Sequence, residues 1–274
     1  MNGLKTTLLL AGLVILFTLV GHAVAGVEGM VAALLAALAI NFFSWWFSDR
    51  LLLSLYQAEE IGPNEAPEFY MIVEDLAHQA GIPIPRVYII NDPVPNAFAT
   101  GRNPDHAAVA ATVGLLHTLD QQQLTAVMAH EIGHILHRDT LIATLSAVMV
   151  GALTSITHVA SSSSHRHQSW LLMIIAPVAA LIIQMAISRQ REYGADEAAA
   201  RLSGEPLWLA SALEQLSIAN QQQPLQKAID YPATASLFIV NPLTGHVSHF
   251  LDQLFSTHPP MEKRIRRLQM MADL

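Results

Sequence analysis

The sequence predicts a mainly α-helical chain with a small β-sheet, fused to about four transmembrane helices. Three observations carry this. The 274 residues are 52% hydrophobic and only 13% charged, about half the charged share of an average soluble domain, and the mean hydropathy is +0.38. Apolar runs near residues 6–24, 27–47, 141–160 and 170–187 each approach the roughly 20 residues that a helix needs to cross a bilayer. The chain between and after them alternates helical periodicity with a few short strand-like segments.

The first run, Thr6 to Val20, lies behind a single Lys5. Ala23-Val24-Ala25 also makes a small-residue cleavage pattern, so a signal peptide and a first span are both open. The second run, following at once from Val27 to Phe47, favours the span. It closes on Trp45 and Trp46 beside Asp49 and Arg50, an interfacial anchor. Asn64 to Gln79 has helical periodicity, with Pro67 in its opening turn and Gly81 as a stop. Arg86 to Ile90 reads as a strand ending at an Asn-Asp-Pro turn. Asn96 to Gly101 and Ala107 to Val113 are further short strands, and Gln121 to Arg138 is a helix. After the runs at 141–160 and 170–187, Arg189 to Leu202 and Pro206 to Asn220 read as helices separated by Gly204-Glu205-Pro206. Gln221 to Phe250 shows no period and is expected to be loop. Met261 to Met271 closes the chain as a basic helix.

The domain organisation follows: two transmembrane helices over 1–49, a first globular part over 50–140, a transmembrane hairpin over 141–187 and a second globular part over 188–274. Of the 14 Lys and Arg, none falls between the first two runs and only Arg166 falls between the last two. By the positive-inside rule both globular parts face the cytoplasm. Net charge is −8 with no basic block, so neither nucleic acid nor nucleotide is an expected partner. The absence of cysteine excludes disulfides, thiolate ligands and a cysteine nucleophile. Any transition-metal site must draw on the 13 histidines and on carboxylates.

Such a site is suggested at 130–134, His-Glu-Ile-Gly-His. His130 and His134 project from one helix face a turn apart, so two imidazoles can share one metal. Glu131 is offset by roughly 100° and reaches a water beside the metal instead of the metal itself. Zinc lowers the pKa of such a water towards 7, and the carboxylate can take its proton. Glu192 offers a third ligand that leaves one position open. Asp196, four residues on along the same face, can hold the free N–H of a ligand imidazole. Read alone, Glu192 and Asp196 would be a solvated charged face; beside the 130–134 helix they read as a His₂Glu zinc site. His134 and Glu192 sit just outside the two ends of the 141–187 hairpin, which places the site close to the membrane surface.

These residues resemble the HtpX-type heat-shock membrane proteases of bacteria, relatives of the zinc CAAX prenyl proteases. The matching pieces are Asn96 to Gly101, the 130–134 motif with Asp139 behind it, Ser188 to Asp196, and Ser256-Thr257-His258-Pro259-Pro260 followed by Glu262 to Ile265. His137 stands where relatives often carry Asn. The resemblance implies a gluzincin-like metalloprotease domain holding one Zn²⁺ per chain and located in the bacterial inner membrane. It implies endopeptidase activity without ATP, on misfolded or damaged polypeptides in or near the lipid bilayer, as part of a stress response. It further implies that Asn96, Ala97, Phe98, Ala99, Thr100 and Gly101 form an edge strand receiving substrate as an added β-strand. His258 would stabilise the oxyanion.

Two other readings stay open. A narrow-specificity protease of the prenyl-protein type would need a lipid-accepting chamber, for which four spans are few. A non-catalytic membrane scaffold with structural zinc would need a fourth protein ligand.

Overall fold

The computed structural model describes residues 2–147, 189–223, 225–242 and 259–273. Helix α1 (Asn2–Leu55) contains the first two apolar runs and is broken at Ala25 and Gly26, whose φ of 62° is readily adopted by glycine. The chain folds back there, and the two arms pack closely where Gly21 meets Gly29, since a Cβ on either would collide with the other's carbonyl oxygen. Asn41 donates from Nδ2 to the carbonyl of Leu10 at 3.3 Å across the same pair of arms. Ala25–Leu55 is the one helix among the described residues long and apolar enough to cross a membrane, and Leu10–Ala23 is a shorter apolar helix. The expected 141–187 hairpin lies outside the described residues except for 141–147, which belong to a helical stretch over 140–147.

The strands are β1 (Glu59–Ile61), β2 (Arg86–Ile90), β3 (Ala97–Gly101) and β4 (Ala107–Thr112). They form one mixed sheet in the order β1-β2-β4-β3. The β2–β4 pair is parallel, while β1–β2 and β3–β4 are antiparallel. Strand β3 is therefore an edge of this sheet, as the family resemblance implied. The helices are α2 (Pro67–Ala80), α3 (Val113–Thr118), α4 (Gln121–Leu136), α5 (Arg189–Ser203), α6 (Pro206–Gln222), α7 (Gln226–Asp230) and α8 (Met261–Ala272). Helix α2 stops at Gly81 in the left-handed conformation. Helix α4 opens with a capping box in which Asp120 Oδ1 accepts from Gln123 N–H at 2.8 Å and Gln123 Oε1 accepts from Asp120 N–H at 3.2 Å.

Both faces of β3 and β4 are buried, which explains why β4 reads Ala-Ala-Val-Ala-Ala-Thr without polar alternation. Ala97, Ala99, Val109 and Ala111 face a core built with Ile132, Ile135, Leu213 and Leu268 from the helices. Phe98, Ala108 and Ala110 face a second core. There they meet Leu52, Leu53 and Tyr56 from the end of α1, and Leu225, Leu237 and Phe238. The long apolar helix thus continues into the globular core.

The described part of the 221–250 stretch, which ends at residue 242, departs from the expected loop, and 243–250 lie outside the described residues. It contains α7 and a 3₁₀ turn over Pro232–Leu237, five and six residues long, too short to leave a period in the sequence. Strand β1 and helix α3 are equally short. Helix α3 is set by Thr112, whose Oγ1 accepts from Leu115 N–H at 3.1 Å.

Candidate active site

Helix α4 carries His130, Glu131 and His134, and α5 carries Glu192 and Asp196. Gly133 lets the two helices approach. A Cβ there would lie 2.9 Å from Ala198 Cβ and 3.2 Å from Ala195 Cα. His130 Nε2 and His134 Nε2 end 3.2 Å apart. Glu192 Oε2 is 3.7 Å from the first, and Glu192 Oε1 is 3.6 Å from the second. One ligand atom from each residue falls within 4.8 Å of the others. Two imidazole nitrogens on one tetrahedral zinc, at roughly 2.05 Å each, lie about 3.3 Å apart. The donor set therefore fits a divalent metal ion, and two facing imidazole nitrogens only 3.2 Å apart have an evident use if a cation lies between them.

The surrounding polar groups orient these ligands. Asp196 Oδ1 lies 3.0 Å from His130 Nδ1, fixing the tautomer that leaves Nε2 its lone pair. Asp196 is in turn clamped by Arg264 of α8, with Nε donating to Oδ2 at 3.0 Å and Nη2 to Oδ1 at 2.7 Å. Arg264 is fully buried; its Nη1 lies 3.7 Å from Glu192 Oε2 and donates to the Ile239 carbonyl at 3.0 Å. Asp139 Oδ2 is 3.5 Å from His134 Nδ1, and Arg191 Nη1 donates to the Asp139 carbonyl at 3.1 Å. The His137 ring stands away from the metal cluster, against Gly194, where a Cβ would come within 3.6 Å of it.

Burial pulls the His130 imidazole down to about 4, so it is neutral at pH 7, the form that ligates metal. His134 moves up: burial lowers it, but the Glu192 charge and Asp139 outweigh that. Burial alone would raise Asp196, yet Arg264 and the hydrogen bonds from His130 and Arg264 hold it at about 2. Glu131 is pushed up to about 7 by burial, with the Glu192 charge adding to the rise against His134. Both Glu131 carboxylate oxygens are buried without a hydrogen-bond partner among the described residues. Buried polar groups are seldom left so; here they face a cleft lined also by Ala99, His134, Thr140, Ser236 and Leu237.

The cleft opens onto β3. Thr112 N–H donates to the Asn96 carbonyl at 3.0 Å, so by antiparallel alternation Ala97, Ala99 and Gly101 turn their peptide groups away from β4. The Ala97 carbonyl accepts from Ile239 N–H at 3.1 Å, and the Gly101 carbonyl accepts from Thr140 Oγ1 at 2.8 Å. Ala99 lies between them with its outer edge towards Glu131 and His134.

The residues singled out in the sequence thus divide into groups. His130, Glu131, His134, Glu192 and Asp196 converge, and Ala97 to Gly101 form the strand beside them. Asn96 is buried just before the strand; its Nδ2 donates to the Val240 carbonyl at 2.9 Å and to Asn220 Oδ1 at 3.3 Å, tying three segments together. His258 lies outside the described residues. Sequence reasoning missed the Ser236–Leu237 wall, and gave Arg264 and Asp139 no role although both lie in pieces that carry the resemblance. Arg264 sits in a helix that reads as a basic surface, and the available signal was its position four residues before the buried Leu268, on the same face.

The model of Peptidase family M48 matches residues 63–272. This chain belongs to peptidase family M48. It is 47% identical over 280 aligned residues to the Protease HtpX homolog of Burkholderia ambifaria (strain MC40-6), covering 99% of this chain and 97% of that protein. The Protease HtpX homolog of Burkholderia thailandensis is 46% identical with the same coverage. A crystal structure of S. mikatae Ste24p shares the fold, with a TM-score of 0.54 at 17% identity, over 97% of this chain and 64% of that one. As a member of M48 the chain is a metalloprotease, and its substrates are polypeptides.

Proposed function

We propose that this M48 chain is a zinc-dependent endopeptidase of the inner membrane, with its cleft on the cytoplasmic side, that cuts misfolded or damaged polypeptides in and near the bilayer. His130, His134 and Glu192 hold the metal. The observation that carries the assignment is their convergence beside Glu131, whose two carboxylate oxygens are buried without a hydrogen-bond partner among the described residues. When bound, zinc supplies the Lewis acidity that acidifies water and polarises the scissile carbonyl. Asp196 and Asp139 orient the two imidazoles, and Arg264 holds Asp196 in place. Glu131 takes the proton of the attacking water and passes it to the leaving amine. The scissile peptide lies extended beside Ala99, with β3 supplying main-chain hydrogen bonds.

The membrane placement is supported by α1, whose last turn, with Leu52 and Leu53, packs into the core beneath the sheet together with Tyr56 just after it. It is also supported by Thr140, a wall of the cleft at the start of the next apolar stretch. Two runs in α1 and two between residues 141 and 187 give four spans with both globular parts inside. A structural zinc site would call for a fourth protein ligand; the cluster has three among the described residues.

The test is degradation of an unfolded model protein by detergent-purified enzyme, with chelator and zinc add-back, beside Glu131→Gln. Cleavage should require zinc, and the variant should keep its zinc while losing activity by about 10²-fold or more. Full activity in the Gln variant would remove Glu131 from the mechanism.

A further inference from the structure

Arg191 stands on α5, one residue before Glu192, and lines the same cleft as Glu131 and His134. It is 9% exposed. Among the described residues its guanidinium makes one hydrogen bond, from Nη1 to the main-chain carbonyl of Asp139 at 3.1 Å, and no ion pair. Its Nε is buried with no hydrogen-bond partner. A guanidinium offers five N–H donors in a planar fork, so most of them are unused. Arg264 shows the contrast. It is equally removed from solvent, yet it holds Asp196 at two points and the Ile239 carbonyl besides.

A buried cation is costly unless an anion accompanies it. Arg264 meets that demand within the chain, and Arg191 does not. The nearby carboxylates are directed elsewhere. Asp139 Oδ2 lies 3.5 Å from His134 Nδ1, and Glu192 faces the two imidazoles at 3.7 and 3.6 Å. Among the described residues that line the cleft, Arg191 is the one Lys or Arg. The hydrolysis outlined above uses neither its charge nor its spare donors.

We propose that Arg191 is a specificity-determining residue that takes a carboxylate of the polypeptide substrate close to the scissile bond. This rests on the endopeptidase reading above. The planar fork suits a carboxylate held at two points. The bond to Asp139 anchors one corner of that fork. Because Arg191 and Glu131 share one cleft, the carboxylate belongs to a residue at or near the bond that is cut. An Asp or Glu side chain and the substrate's own C-terminus both carry this chemistry.

The test uses the full-length, zinc-loaded enzyme in detergent. A short unstructured peptide cut at one bond, mapped by mass spectrometry, is made with Glu or with Gln in turn at each position flanking that bond. A second set ends just beyond the bond, as a free carboxylate or as an amide. At one position, or at the chain end, the charged form should be cleaved with kcat/KM about tenfold or more above the neutral form, as expected for one partner of a desolvated ion pair. Either source supports the proposal, and the two sets tell them apart. Arg191→Gln keeps a donor for the Asp139 carbonyl and removes the charge. It should bring the ratio to about one at unchanged zinc content, by slowing the charged form alone. Arg191→Lys, which keeps the charge without the fork, should retain part of the preference. Anisotropy of the labelled pair on Glu131→Gln enzyme reads the same ratio in binding, without turnover. A merely structural Arg191 gives a different pattern: Arg191→Gln slows both forms alike and the ratio stands. That result, or a parent enzyme with no preference in either set, overturns the proposal. If the parent cuts neither peptides nor unfolded protein, the endopeptidase reading falls and this proposal with it. If it cuts charged and neutral forms equally, carboxylate recognition alone is refuted.

Discussion

Arg264 and Asp196 form a two-point ion pair with no exposed surface, Nη2 to Oδ1 at 2.7 Å and Nε to Oδ2 at 3.0 Å, directly behind His130. The pair joins the last helix of the chain to the helix that carries Glu192. It turns a buried acid into a fixed acceptor for the His130 ring.

Arg264→Met should leave Asp196 buried and unpaired, a change that costs about 3–5 kcal/mol in comparable buried pairs. Loss of the support behind a ligand imidazole should also weaken zinc binding by roughly 10–100-fold. Thermal unfolding and chelator competition in detergent measure the two effects. Unchanged zinc affinity would mean that the pair is structural only.

Glu192→Ala removes the one carboxylate in the cluster and should leave the purified protein with little zinc. Elemental analysis decides this, and a metal content equal to that of the parent would refute Glu192 as the third ligand.

Gly133 lies where α4 packs tightly on α5, with no room for a side chain against Ala195 and Ala198. Gly133→Val adds branched atoms beyond a Cβ that already meets Ala198 at 2.9 Å, so it should destabilise by about 1–3 kcal/mol through overpacking. Because the same contact sets the distance from His134 to Glu192, zinc occupancy should fall with it. A variant with parental stability and zinc content would show that the helices can part without harm to the site.

A pH effect is expected away from the metal ligands. Tyr88 of β2 is raised to about 12, first by burial and then by its hydrogen bond to Glu60, against the pull of Arg86. Its hydroxyl donates to Glu60 Oε2 at 2.7 Å, and Arg86 bridges on to Asp49 in the later part of α1. A raised folded-state pKa means that the folded state holds the proton more tightly. The contribution to stability is therefore complete below pH 10, the ordinary tyrosine value, and lost as pH rises towards 12. The parent should lose stability relative to Tyr88→Phe across that alkaline interval. A difference that stays constant through it would count against the assignment.

Leu53 is 4% exposed beneath the sheet although it belongs to α1. Leu53→Ala should destabilise the globular part by about 2–5 kcal/mol, as a core truncation does. Proteolytic susceptibility in detergent reads this out. A negligible change would mean that α1 is merely an anchor.

The sequence by itself determined the long elements and the three residues of the candidate metal site. The His130–His134 spacing is a property of one helix, and so is the Glu192–Asp196 spacing, because residues four apart share a helix face wherever the helix lies. Strands β2, β3 and β4 were legible as apolar runs bounded by turn residues, and Gly81 and Gly204 marked helix ends through their positive φ. Only the tertiary structure decided what lies beside these residues. Arg264 is 68 residues from Asp196, and its helix reads as basic surface, since the partner that makes its burial tolerable is on another element. The pairing of Ile239 with Ala97 joins residues far apart in sequence through a main-chain hydrogen bond, which leaves no mark on residue type. For the same reason, the 3₁₀ turn and residues 238–240 after it looked like loop: Tyr56, Phe98 and Arg264 hold them from outside, and they have no period of their own.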